Sequence, residues 1–209
     1  MNLFLNEIVR TQVNMQDSND LLAAGESQEK IELIQSQKGE FIVDKEYNLD
    51  DIMKLRADYN KRRGLENVTS EMMFGKKGEI SNEMRNFGVA VGWGGLPKEG
   101  AVYPMPKVIE STRPHSLTIK SVPMQKESFW SVTVYNEQGF ATGQEYNVNS
   151  AFAKTNGNGE YIINLGGSSD QDNYLDIYPG WNAVIRIYSP TQKYFEGSWT
   201  IPQFKPKAP

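Results

Sequence analysis

Hydrophobic and polar positions alternate most regularly at Phe129–Tyr135, where Trp130, Val132 and Val134 share one side and Phe129, Ser131, Thr133 and Tyr135 the other. Successive strand side chains point to opposite faces, and β-branched and aromatic residues favour a pleated, half-buried setting, so this stretch predicts a central strand. Asn136-Glu137-Gln138-Gly139 supplies the turn after it. Further strands are predicted at Ser116–Lys120, at Glu145–Asn149, at Glu160–Leu165 behind the Asn156-Gly157-Asn158-Gly159 turn, at Trp181–Tyr188 and at Trp199–Ile201.

Ahead of residue 80 the pattern changes. Asn19 or Ser18 is expected to cap a helix that begins near Leu21 and is interrupted at Gly25, and Ile31 and Ile34 fit an amphipathic turn ending at Gly39. Glu40–Asp44 reads as a short extended segment. A clearer helix has Asn48 as N-cap, Asp50 and Asp51 in its first turn and Arg62-Arg63-Gly64 at its end, an order that suits the helix dipole and a left-handed glycine cap. Leu49, Ile52, Met53, Leu55 and Tyr59 give that helix an apolar side. After a Lys76-Lys77-Gly78 loop, Ser81 caps a third helix carrying Met84, Phe87 and Val91, which stops at Gly92-Trp93-Gly94-Gly95-Leu96-Pro97.

Short strands separated by Gly, Asn and Pro turns, with no helices between them, predict a mainly β protein: a jelly-roll-like antiparallel sandwich with an N-terminal helical subdomain. The expected division is a helical segment over 1–84 packed on a β-domain over 85–209. At 209 residues, 11% of them aromatic, the chain has material for one sizeable core. A net charge of −4 gives no reason to expect nucleic acid as a partner. The absence of cysteine removes disulfides, thiolate metal sites and a cysteine nucleophile. No window approaches the roughly 20 apolar residues of a membrane span, and Met1–Glu7 lacks the basic start of a signal peptide, so a soluble, cytoplasmic or otherwise unexported protein is expected.

An ordered set of residues carries a family resemblance. It comprises Phe129–Tyr135, Asn147-Val148-Asn149-Ser150, Asn158-Gly159-Glu160-Tyr161, Gly166-Gly167, Tyr178-Pro179-Gly180-Trp181, Arg186–Pro190 and Gly197–Pro202, led in by Trp93–Pro97 and Ala101-Val102-Tyr103. In this order residues 85 to 207 resemble the family catalogued as domain of unknown function 1214. The resemblance implies a jelly-roll-like β-domain behind a small helical segment, and no established activity. Members commonly carry a second uncharacterised β-domain ahead of this one, and the 80-odd residues before it here are short and helical.

Arg186 is the most informative candidate for chemistry. In Ala183–Tyr188 the apolar Ala183, Ile185 and Ile187 share one face, and Val184, Arg186 and Tyr188 the other. On a functional reading Arg186 lines a sheet face with Tyr188 and grips a carboxylate or other anion with its planar fork. On a structural reading it pairs with an acid such as Glu145 or Asp176, which the rarity of buried unpaired charge favours. Trp130, Trp181, Trp199, Tyr135 and Tyr188 offer an aromatic platform for a sugar or apolar ligand, although strand aromatics commonly form core. Asp170-Gln171-Asp172-Asn173 and Asp176 supply oxygen ligands without the spacing of a calcium loop, so no metal and no cofactor is expected. His115, the single histidine, is expected in an exposed loop, and no GxSxG or HExxH pattern supports a catalytic role for it. Trp93–Pro97 lacks the Gly-Lys-Ser/Thr ending of a phosphate loop.

Two functional expectations follow. The first is a non-enzymatic binding or assembly module, homo-oligomeric, whose small-molecule or glycan ligand meets the face bearing Arg186 and Tyr188. The second is an enzyme acting on a small molecule or glycan in a jelly-roll cavity, with Arg186 orienting, Tyr135 or Tyr188 donating a proton, and Asp176 or Glu145 as the acid.

Overall fold

The computed structural model describes residues 13–14, 16–34, 48–92, 94–107 and 111–207. Two compact units divide the chain, Met1–Tyr47 and Asn48–Pro209. In the first unit, helix α1 spans Ser18–Glu29. Its N-cap is Asp17, whose side chain accepts from the Asn19 N–H, in place of the expected Ser18 or Asn19. The helix runs through Gly25, because one glycine inside a helix costs only about 1 kcal/mol. Ile31 and Ile34 are exposed and irregular, so the expected amphipathic turn is not formed over the residues seen. Glu40–Asp44 and Gly39 lie outside the described residues.

The second unit opens with helix α2, Leu49–Leu65, capped as its sequence dictates: Asn48 Oδ1 accepts from the Asp50 N–H at 2.9 Å. Gly64 lies inside this helix, and the left-handed residue beyond its end is Asn67 at φ +52°, a role asparagine takes when glycine is not at hand. A short 3-10 turn at Ser70–Met72 leads to helix α3, Asn82–Gly92, where Ser81 Oγ accepts from the Met84 N–H at 3.2 Å. Phe87 is buried with Tyr59, Val68 and Met73 in a small cluster between the helices, whereas Val91 is exposed. Arg56 of α2 ties this pair down, Nε donating to Ala90 O at 2.5 Å and Nη1 to Gln138 O at 3.0 Å.

The strands are β1 (Ala101–Val102), β2 (His115–Ile119), β3 (Trp130–Tyr135), β4 (Asn147–Asn149), β5 (Tyr161–Leu165), β6 (Tyr174–Leu175), β7 (Asn182–Tyr188) and β8 (Lys205–Pro206). Among the described residues they form two four-stranded sheets, ordered β1-β7-β3-β4 and β6-β5-β2-β8. Every pairing is antiparallel except β5 with β6. Trp130, Val132 and Val134 of β3 stand opposite Ile187, Ile185 and Ala183 of β7. These six close on Leu117, Ile119, Ile163, Leu165 and Leu175 of the other sheet, making one core. The alternating apolar face of β3 is therefore what joins the two sheets, as its pattern predicts.

Three details depart from expectation. Trp199–Ile201 is not a strand: its tryptophan packs at the core edge and donates from Nε1 to Lys120 O at 3.0 Å, and the last strand is β8. A one-turn helix α4, Gln192–Phe195, precedes it. His115 is the first residue of β2 and is 3% exposed, its Nδ1 2.6 Å from Arg113 O and its ring 6.1 Å from that of Trp181, so it is not an exposed loop residue.

Candidate functional site

On β3 and β7 the side away from this core sets a grid of polar and aromatic side chains, buried at Ser131 and Thr133 and half-buried at Tyr135, Arg186 and Tyr188. Ser131 stands opposite Arg186 and Asn149, Thr133 opposite Val184 and Asn147, and Tyr135 opposite Asn182. Carrying the β1–β7 register one residue past Val102 sets Tyr103 beside Arg186, and the Ile185 N–H donates to Pro104 O at 3.1 Å, as that register requires. Beyond Arg186 along β7, Tyr188 stacks on Phe129 with ring centroids 4.3 Å apart.

The Arg186 side chain leans along the sheet, away from Tyr188 and toward Tyr135. Its Nη1 donates to Thr133 Oγ1 at 3.0 Å, its Nη2 to Tyr135 OH at 2.5 Å, and its guanidinium carbon lies 5.6 Å from the centre of the Tyr135 ring. Asn147 completes the arrangement, its Nδ2 donating to Thr133 Oγ1 at 2.7 Å and to Val132 O at 3.2 Å. Among the described residues Arg186 makes no ion pair. The pairing with Glu145 or Asp176 that a structural reading demands is not made; neutral hydroxyls hold the cation instead. The guanidinium is half-buried.

The remaining candidates fall elsewhere. Trp130 and Trp181 are each 1% exposed, Trp130 edge-on to Tyr161 and Trp181 donating from Nε1 to Ser111 O at 2.8 Å, so both serve the core and offer no platform. Asp176 organises a loop: Oδ2 accepts from the N–H groups of Gln144 and Glu145, each at 3.1 Å, and Oδ1 from Tyr174 OH at 3.1 Å. Glu145 is exposed and lines a groove of about 330 Å³ with Asn147, Asn149, Phe152 and Tyr174 along β4, the edge of its sheet. Asp172 pairs with Lys154 at 2.6 Å, and Asp170 accepts from Ser168 Oγ. Among the described residues no three His, Asp or Glu side chains converge as metal ligands would.

Burial raises the Tyr103 phenol above its ordinary value, with the Leu96 N–H, donated to its oxygen at 2.8 Å, and the charge of Arg186 pulling the other way. Tyr103, Thr133 and Asn147 are the members of this face that sequence reasoning missed. Their signal was present in part: Thr133 shares the outward side of β3 with Tyr135, but which residue of β7 or β4 lies across from it is set by register, which one strand's alternation does not reveal.

A two-sheet, mainly β protein with helices ahead of its strands is thus defined, and its outward sheet face carries a cation held by hydroxyls. Residues 107–192 match the family described as "Protein of unknown function (DUF1214)". Among solved structures, the VPA0106 protein from Vibrio parahaemolyticus is similar at 19% identity and a TM-score of 0.53, over 78% of this chain and 47% of that one. That likeness is one of fold, and the chain spans about half the length of the Vibrio protein. An uncharacterized protein from Burkholderia cenocepacia is similar at 15% identity and a TM-score of 0.38, over 50% of this chain and 28% of that one. No curated protein matches the chain.

Proposed function

We propose that this protein is a non-enzymatic binding or assembly module, a jelly-roll-like sandwich that receives a small-molecule or glycan ligand on the outward face around Arg186 and Tyr188 and works as a homo-oligomer. The observation that carries the binding part is the Arg186 guanidinium, half-buried and, among the described residues, hydrogen-bonded only to Thr133 and Tyr135 oxygens. A cation in such a setting is poorly compensated, and an external acceptor supplies what the fold omits. The stacked Phe129–Tyr188 pair on the same face offers apolar surface beside it. The assembly part draws on β4, an edge strand flanked by two phenylalanines in its adjoining loops, Phe140 at 68% and Phe152 at 86% exposure.

The enzymatic reading has less behind it: neither Asp176 nor Glu145, the acids it calls on, bonds to Arg186, Tyr135 or Tyr188. The test pairs two measurements on the wild-type protein and R186M. Calorimetric titration with a panel of small carboxylates and monosaccharides is expected to find saturable binding that R186M loses, and light scattering is expected to find an oligomer that F152S weakens. Equal binding by both proteins overturns the assignment of the face, and a monomer at all concentrations overturns the assembly part.

A further inference from the structure

We infer that the ligand of this face is a small monocarboxylate, gripped by Arg186 together with the hydroxyl proton of Tyr135; the inference rests on the reading that the face binds a ligand. It follows from the direction of each hydrogen bond. The Asn147 amide nitrogen faces Val132 O, a pure acceptor, so that end of the amide is the NH2 and both its protons are engaged, one on Val132 O and one on Thr133 Oγ1. Thr133 Oγ1 then accepts twice, from Asn147 and from Arg186, which fills both its lone pairs and fixes the near end of the guanidinium. Tyr135 OH accepts from Nη2, so its own proton points away from Arg186.

The outcome is a cluster weighted to donors: three further N–H groups of a guanidinium's five, the Tyr135 O–H and the O–H of the buried Thr133, against one lone pair left on the phenol oxygen. A group that accepts at two oxygens in one plane matches that set, since a carboxylate meets the guanidinium fork and turns its second lone pairs to the phenol. Charge selects among oxyanions. A phosphate monoester carries roughly −1.5 to −2 at neutral pH, against one positive charge here. Arg56, the cation at the turn after Tyr135, is engaged on the carbonyls of Ala90 and Gln138. A single negative charge is therefore the complement. Thr133 and Asn147 are positioning residues, and Tyr135 is the second contact.

The experiment is chemical-shift mapping of the full chain titrated with sodium benzoate, with neutral benzamide and with inorganic phosphate, repeated on Y135F and R186M. Benzoate is expected to bind saturably and to move Thr133, Tyr135 and Arg186 together. Y135F, which keeps the ring and removes the proton, is expected to weaken benzoate about tenfold, and R186M to abolish binding. Benzamide binding as tightly as benzoate, or phosphate binding more tightly, overturns the carboxylate assignment while leaving the face a binding site. A Y135F affinity equal to wild type overturns the role of the phenol. Absence of any shift on this face with all three probes, with monosaccharides equally silent, overturns both the ligand class and the reading beneath it.

Discussion

Gly180, in the turn entering β7, holds φ at +73°, and a Cβ placed there falls 2.8 Å from Cβ of Glu137. Both the left-handed conformation and the contact demand glycine, so G180A is expected to destabilise by more than about 1 kcal/mol, measured by urea denaturation. Tyr194 shows a different single-residue effect. Burial, then the negative charge of the neighbouring Glu71 carboxylate, push its ionisation well above the tyrosine range. Burial raises Tyr59 and Tyr103 in the same direction. A raised folded value means the folded state keeps protons that the unfolded chain releases near pH 10, so this contribution is complete below pH 10 and declines as pH rises beyond it. Denaturation midpoints are expected to fall steadily above pH 10, and Y194F to shallow that fall. An unchanged slope in Y194F contradicts the assignment.

Helix α2 rests visibly on its cap, because the Asn48 side chain takes a first-turn N–H that has no partner inside the helix. N48A is expected to cost about 1 kcal/mol, read as a lower midpoint in circular dichroism. This helix was legible in the sequence for the same reason: Asn48, Asp50, Asp51, Arg62 and Arg63 are local signals that act within a turn or two. The alternation of β3 was equally plain, with Trp130, Val132 and Val134 on one side, although the structure buries Ser131 and Thr133 on the other side as well. What failed to read was what tertiary packing decides. Trp199-Thr200-Ile201 has strand-forming residues, yet it pairs with no strand, and its tryptophan packs at the core rim instead. His115 follows a proline and resembles a loop residue until β5 and β8 pair with β2 on either side of it. The candidate site divides along the same line. Arg186 and Tyr135 stand out as outward residues of predicted strands, while the bond that joins them runs diagonally across two strands, and only register creates it.

Within the unit Asn48–Pro209 the two sheets share one core, and the helices have a smaller cluster of their own around Tyr59 and Phe87. Removing bulk from either is expected to be costly: I185A by about 2–5 kcal/mol and F87A by about 3–5 kcal/mol. Because both clusters lie in one compact unit, F87A is expected to lower the helical circular dichroism transition and the tryptophan fluorescence transition by the same amount. Separate transitions show that the helices and sheets unfold independently. The core side of the first sheet is thus fully employed in stability, and the recognition proposed above falls to the half-buried Tyr135, Arg186 and Tyr188 of its other side. The measurement that tests this most directly is a high-resolution crystal structure of the protein purified without added ligands, inspected at Arg186. The account predicts a guanidinium fixed by Thr133 and Tyr135, with a bound acid or ordered waters accepting from Arg186 and the Tyr135 hydroxyl. A guanidinium ion-paired with a carboxylate of its own chain, with that face dry, contradicts it.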